Sequence, residues 1–319
     1  MNRRVGITAG IAGAVAAAAV ARRRVATAPV EAGEPLLCFA DLDPECFAVG
    51  TDDGAELQVA AVGPEGGPLV VLAHCWMGTQ EFWGPVAATL VDADFRVVAY
   101  DHRGHGRSTT GLDPISIDRL GSDLVAVLDH VATPGAVLVG HSMGGMAIQA
   151  AVVSHPRVLE ELGGIVLVAT SARPSPVRLP TTVAHRLLGE SASARIARRS
   201  PTSSGRAFGP GATAEQLKAT HEAVVATPGA TRAECLVAIS HMDLRDRLAH
   251  LSVPTRVVVG SHDRLATPAK SRQLTDLIPG AQMSLLDGIG HMVPLEAPAA
   301  VVAAVRSLSP TTTPTGSFH

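Results

Sequence analysis

Short, uniformly apolar runs alternate with helix-like stretches along most of this chain. Leu69-Val70-Val71-Leu72-Ala73 is the clearest run, and it follows the turn Pro64-Glu65-Gly66-Gly67. The same type recurs at Phe95 to Tyr100, Ala136 to Val139, Ile165 to Ala169, Thr255 to Val259 and Met283 to Leu286. Such runs fit strands buried on both faces of a parallel sheet. Upstream, Phe47 to Gly50 and Glu56 to Val62 flank Thr51-Asp52-Asp53-Gly54, which predicts a hairpin closed by a tight Asp-Gly turn. Helical patterns fall at Ser116 to Val131, Met143 to Ser154 and Pro298 to Leu308. Strands alternating with helices predict an α/β fold with a mostly parallel, doubly wound sheet.

The alternation breaks once. From Pro174 to His250 no run reads as a buried strand, and Pro and Gly interrupt helix-like stretches. An insertion of that size between two core strands predicts a helical cap over the carboxyl edge of the sheet, where ligands bind in such folds. The predicted organisation is an N-terminal segment and linker over 1–44, core over 45–173, cap over 174–250, core again over 251–308 and a tail over 309–319. The tail's Thr, Pro and Ser predict disorder.

Val5 to Ala21 is almost continuously apolar, between Arg3-Arg4 and Arg22-Arg23-Arg24. That falls just short of the roughly 18 residues of a spanning helix. Ala and Gly dominate it, and arginines on both flanks give no orientation. It reads first as a membrane-associated anchor, with an export signal and a soluble tail as alternatives; the arginines after it are a poor cleavage context.

Composition narrows the partners. A net charge of -3 argues against nucleic acid. Only 3% of residues are aromatic against 46% hydrophobic, so the core must be built of Ala, Val and Leu. The only lysines are Lys218 and Lys270. Cys38, Cys46, Cys75 and Cys235 lack metal-ligand spacing and read as plain thiols; Cys38 with Cys46 is the one pair an oxidising compartment could join. No metal or organic cofactor is called for.

The chemistry concentrates at Gly140-His141-Ser142-Met143-Gly144-Gly145, directly after one apolar run and opening a helical pattern. This is G-x-S-x-G in the strand–turn–helix setting that gives it meaning. The turn is so tight that side chains at Gly140 and Gly144 would collide with neighbouring backbone, and it holds the Ser142 hydroxyl exposed at a helix N-terminus. A nucleophilic serine needs a base, and the base needs an orienting carboxylate. In this setting they follow in the order Ser, acid, His. Asp263, after Thr255 to Val259, and His291, after Met283 to Leu286, fill those places, with Asp287 the substitute acid. His74, His102, His105 and His141 sit beside motif glycines and read as loop-structuring residues.

Five segments carry a resemblance: His74 to Gly78, Asp101 to Ser108, Gly140 to Gly145, Gly260 to Asp263 and Gly290 to Glu296. Together they resemble the α/β-hydrolase superfamily, in the capped serine-hydrolase branch of monoacylglycerol-lipase-like esterases and cofactor-free haloperoxidases. The resemblance covers about residues 45 to 308. It implies an oxyanion hole from the backbone N–H groups of Met143 and Trp76, though the family usually has Gly where Cys75 stands. The expected activity is cleavage of carboxylic esters, lipid esters among them. A perhydrolase, a C–C bond hydrolase or a non-hydrolytic ligand receptor on the same triad are the alternatives. Haloalkane dehalogenases and epoxide hydrolases of this fold use an aspartate nucleophile, so Ser142 argues against both. Between Arg173 and Arg206 the predicted cap also carries Arg178, Arg186, Arg195, Arg198 and Arg199 against the single acid Glu190. That predicts either a solvated basic face or contact with an anionic membrane surface.

Overall fold

The computed structural model describes residues 36–131, 134–175 and 177–308. The apolar N-terminal stretch and the 309–319 tail lie outside the described residues. Among the described residues, no helix is long and apolar enough to cross a membrane.

The apolar runs are the strands of one eight-stranded sheet: β1 (Glu45–Gly50), β2 (Glu56–Val62), β3 (Leu69–Ala73), β4 (Arg96–Tyr100), β5 (Ala136–His141), β6 (Leu162–Val168), β7 (Thr255–Gly260) and β8 (Gln282–Leu286). Their order is β1-β2-β4-β3-β5-β6-β7-β8. The first two pairings, β1 with β2 and β2 with β4, are antiparallel, and the rest are parallel. The predicted hairpin turn forms, with Gly54 at φ 83 closing it. In register, Ala73 lies beside Gly140, His141 beside Val168, Val168 beside Val258, and Gly260 beside Leu286. Five strand ends therefore come flush at one carboxyl edge.

Between the strands run α1 (Gly84–Val91), α2 (Ile117–Val131), α3 (Met143–Ser154), α4 (Pro156–Glu161), α9 (Pro268–Leu277), α10 (Val293–Glu296) and α11 (Pro298–Arg306); α5 to α8 belong to the insertion. The pleat divides each strand between two cores. Val71, Leu138, Ile165 and Val257 face one cluster with α2, α3 and α9. Val70, Leu72, Val139, Val166 and Val258 face the other, with α1 and α11. Small aliphatic residues fill both, as the scarcity of aromatics requires.

Two strands depart from expectation. β6 starts at Leu162 and not Ile165, because Gly163 and Gly164, which look like a turn, are strand residues beside a bulge between Ala136 and Val137. β8 was expected to be buried on both faces, but it is an edge strand with one neighbour, and Leu285 is 49% exposed.

Between β6 and β7 the described residues hold no strand. They form α5 (Thr181–Leu188), α6 (Glu190–Ala197), a 3-10 turn at Pro201–Ala207, α7 (Ala214–Ala226), α8 (Gly229–His241) and a 3-10 turn at Arg245–His250. Fully buried Arg232 organises these helices. Its guanidinium donates to the carbonyls of Leu188 (3.1 Å), Val224 (3.0 Å) and Thr227 (2.6 Å) and to the Ser193 hydroxyl (2.6 Å). Those carbonyls lie at the C-terminal ends of α5 and α7, where the helix dipole favours a cation. Arg178, Arg186, Arg195, Arg198, Arg199 and Arg206 are exposed.

A second buried guanidinium ties the hairpin to the sheet. Arg103 donates to Asp123 of α2 through Nε (2.6 Å) and Nη2 (2.7 Å), and to Asp53 of the hairpin turn through Nη1 (2.8 Å) and Nη2 (3.0 Å). Its fork holds the Asp53 carboxyl well below the usual carboxylate range. Arg103→Met should leave Asp123 with Arg119 alone and Asp53 without a cation, and cost about 3–5 kcal/mol. Urea unfolding checks this: the midpoint should fall with the slope unchanged.

Candidate active site

Ser142 occupies the turn between β5 and α3 with φ 53 and ψ −111. A side-chain-bearing residue held there stores about 1–3 kcal/mol of strain. Its surroundings over-determine the conformation. The Ser142 N–H donates to the Val168 carbonyl (2.8 Å), and its carbonyl accepts from the Thr170 hydroxyl (2.7 Å) and the Met146 N–H (3.1 Å). A Cβ at Gly140 would overlap Gly144 and Gly145 backbone, and one at Gly144 would overlap the Ala73 carbonyl. The first turn of α3 is thus seated directly on the end of β3. The first N–H groups of α3, Met143 among them, have no partner within the helix. The Trp76 N–H donates to no carbonyl among the described residues.

Asp263 and His291 leave the neighbouring strand ends. The His291 Nδ1 lies 2.8 Å from Asp263 Oδ2, and both side chains are buried. Asp263 Oδ1 accepts from the N–H groups of Leu265 (2.8 Å) and Ala266 (2.9 Å). Burial pushes the Asp263 carboxyl up, but His291 and these two donors outweigh it and hold the group below its ordinary value. An ionised Asp263 accepts from Nδ1–H, which leaves Nε2 of His291 as the acceptor. Asp287, the substitute acid, instead accepts from the Ser261 hydroxyl (3.2 Å). His141, one residue before Ser142, donates from Nε2 to the His291 carbonyl (2.8 Å), with the two rings 5.0 Å apart. The serine turn and the histidine loop are therefore joined directly.

The remaining motif histidines lock the loop that carries Trp76. His74 donates from Nδ1 to the Cys75 carbonyl (2.7 Å) and accepts at Nε2 from the His102 N–H (2.9 Å). His102 donates from Nε2 to the His74 carbonyl (2.9 Å). His105 donates from Nδ1 to the Arg103 carbonyl (3.1 Å) and accepts from the Met77 N–H (3.2 Å). The roles of His74 and His105, donor at one nitrogen and acceptor at the other, require a neutral ring. Burial pushes His74 down to about 4, His105 to about 3, His141 to about 3 and His102 well below its ordinary value. Cys75 is buried in one apolar cluster with Phe82, Phe208, Leu217, Met292 and Leu295, which draws on the residue after His291 and on the insertion.

Two residues that sequence reasoning passed over also brace the site. Lys270 of α9 donates to the carbonyls of Leu265 (3.2 Å) and Pro174 (2.7 Å), joining the Asp263 loop to the start of the insertion. Glu296 accepts N–H groups on both sides of His291. Neither carries a local sequence signal; Glu296 lay inside a recognised motif without a role. Among the described residues, no group of His, Cys, Asp or Glu is arranged to hold a metal ion.

Two predictions follow from this burial. Above pH ~6.5, His74, His105 and His141 are neutral whether folded or unfolded, so they add no pH dependence. Below it the unfolded chain takes up protons that the folded one refuses until about 4 and about 3. Stability should therefore fall on acidification, by up to about 1.4 kcal/mol per pH unit for each histidine. A thermal midpoint that holds steady from pH ~6.5 to ~4 would contradict neutral burial. All four cysteines are free; Cys46 is exposed, whereas the buried Cys75 thiol is pushed up to about 12. A chromogenic disulfide reagent should modify Cys46 in the native protein and reach Cys75 and Cys235 only after denaturation.

Comparison with known proteins agrees with this geometry. The family model described as serine aminopeptidase, S33, matches residues 66–298. The 3-oxoadipate enol-lactonase 2 of Acinetobacter baylyi is 28% identical over 262 residues, which span 81% of this chain and 94% of that protein. The bifunctional esterase/perhydrolase of Acinetobacter calcoaceticus is 27% identical, over 77% of this chain and 93% of that one. Among solved structures, the enol-lactonase from Burkholderia xenovorans LB400 superposes with a TM-score of 0.70 at 29% identity, covering 83% of this chain and 99% of that one. A match over that much of the sequence, on this sheet order and this serine turn, is decisive for the family: the chain belongs to the α/β-hydrolase superfamily.

Proposed function

We propose that the protein hydrolyses carboxylic esters, lactones among them, through an acyl-enzyme on Ser142. The observation that carries this reading is a serine held in a strained turn that is joined through His141 to the segment of a histidine whose Nδ1–H is committed to a buried carboxylate. His291 takes the Ser142 proton at Nε2 as the hydroxyl attacks the ester carbonyl. The N–H groups of Met143 and Trp76 receive the oxyanion, each donor being worth on the order of 100- to 1,000-fold in rate. Asp263 fixes the imidazole tautomer and stabilises its charged form. The alcohol leaves with the proton from His291, and a water deprotonated by His291 then releases the acid. In a lactone the leaving hydroxyl stays attached to the released acid, so one product results. The insertion serves as the cap, since its Ala207 carbonyl accepts the His291 N–H at 2.6 Å.

The similarity to an esterase/perhydrolase supports a second reading on the same residues. Hydrogen peroxide would replace water in the attack on the acyl-enzyme and release a peracid.

Fluorophosphonate labelling followed by peptide mapping tests the nucleophile. Ser142 should be modified in the wild type, and Ser142→Ala should take up no label. Ser142→Ala and His291→Ala should each lower kcat/KM by on the order of 10⁴-fold or more on an aryl ester and on a simple lactone. A wild type that is folded, unlabelled and inactive on both would sink the reading. Peracid formation from ester and peroxide, measured in parallel, separates the second reading from the first.

A further inference from the structure

The segment that carries His291 is fastened to the insertion by one carboxylate. Glu296 Oε2 accepts the N–H groups of Gly290 (3.0 Å) and Gly209 (2.7 Å), while Oε1 accepts that of Met292 (3.1 Å) and shares that of Gly290 (3.2 Å). Gly290 and Met292 are the two neighbours of His291, and Gly209 belongs to the insertion. The His291 N–H itself donates to the Ala207 carbonyl (2.6 Å), which also accepts from Met292 (3.2 Å). A Cβ at Gly290 would overlap the backbone of Phe208 and Gly209. Two stretches of backbone thus lie face to face, and the Glu296 side chain is a charged group that bonds both.

Resting on the esterase reading above, we propose that Glu296 is the positioning residue for His291, setting the imidazole by gripping the backbone on either side of it and locking that backbone to the cap. A half-buried carboxylate is a costly way to satisfy amide donors, and burial pushes the Glu296 carboxyl up. Gripping three donors from two segments offsets that cost and fixes their relative position, which a water or a neutral amide with one acceptor oxygen does not do. His291 is then held from both ends: Asp263 sets the ring through Nδ1, and Glu296 sets the backbone from which the ring hangs. Because a 1 Å displacement of a catalytic group can cost about 100-fold, the backbone grip matters as much as the ring bond.

Glu296→Gln and Glu296→Ala test this, with Gln216→Ala as the control. Gln216 Nε2 donates to the Leu295 carbonyl (2.7 Å) and so ties the same two segments without touching the neighbours of His291. Both Glu296 variants should lose about 10- to 100-fold in kcat with KM changed less than about threefold. Glu296→Asp, which keeps the charge with a shorter reach, should recover part of that loss. The His291 ring should pass from a single Nδ1–H tautomer to a mixture, read from two-bond proton–nitrogen correlation spectra assigned with His291→Ala. Gln216→Ala should lower the thermal midpoint and leave kcat and tautomer unchanged. If Glu296→Gln, or whichever variant folds, lowers the midpoint but keeps both kcat and the tautomer, Glu296 is only a staple and the proposal falls. The ring readout is independent of turnover. A wild type without esterase activity would overturn the reaction, while a tautomer lost in the Glu296 variants would still assign the grip.

Discussion

The site depends on one close approach: the first turn of α3 against the end of β3, with no side chain between them. That contact leaves no room for a relaxed link from β5, so Ser142 turns at φ 53. The strain of about 1–3 kcal/mol is a sizeable share of a net stability of about 5–15 kcal/mol. It persists because Val168 and Thr170, at the end of β6, hold the serine's N–H and carbonyl. Three parallel strands in flush register are therefore needed to keep one hydroxyl in place. The same contact sets the first turn of α3 against His74, so the proposed nucleophile and the proposed donor at Met143 come from a single packing event.

Around this edge the protein buries titratable groups in two ways. The histidines at 74, 102, 105 and 141 give up their charge; His74 and His105 each then fix a loop through one donor and one acceptor, while His102 and His141 each donate to a carbonyl. Arginine cannot give up its charge. Arg103 therefore takes two carboxylates, and Arg232 takes three carbonyls at helix ends and a hydroxyl. The histidines can yield to acid; the arginines stay charged and fail only when a partner is removed. Loop placement at the site is thus pH-sensitive, and so is the hairpin-to-α2 joint, where burial pushes the Asp123 carboxyl up, while the bonds of Arg232 to carbonyls and a hydroxyl are not.

Periodicity and turn chemistry gave away much of this architecture. The runs at Leu69 to Ala73 and Glu56 to Val62 match their strands end for end. Met143 to Ser154 matches its helix, because the serine turn fixes where that helix begins. The errors have local causes. Gly163-Gly164 reads as a turn, yet a glycine pair also lets a strand bulge beside a neighbour. The run at Met283 to Leu286 has the hydropathy of a central strand, and only sheet order reveals it as an edge. The serine, acid and histidine stood out because each follows a strand end in a fixed order, and the structure puts His291 on Asp263 and not on Asp287. The bracing contacts of Glu296, Lys270 and His141 had no such mark. They join residues 87, 96 and 150 positions apart, and no periodicity encodes a partner at that distance.

Those long-range contacts change what the insertion is. If it were a lid resting on a finished site, its only links would be its two chain crossings from and to the sheet. Instead Lys270 ties its start at Pro174 to the Asp263 loop, and Ala207 and Gly209, near its middle, are bonded to the His291 segment. Asp263 and His291 are each held from the sheet on one side and from the insertion on the other. Any displacement of the α5–α8 unit must either break these bonds or carry Asp263 and His291 with it, whereas the Ser142 N–H and carbonyl are bonded to Val168, Thr170 and Met146. A group that seats against the insertion therefore also acts on the placement of Asp263 and His291 relative to Ser142, because the insertion is bonded to the loops that carry both.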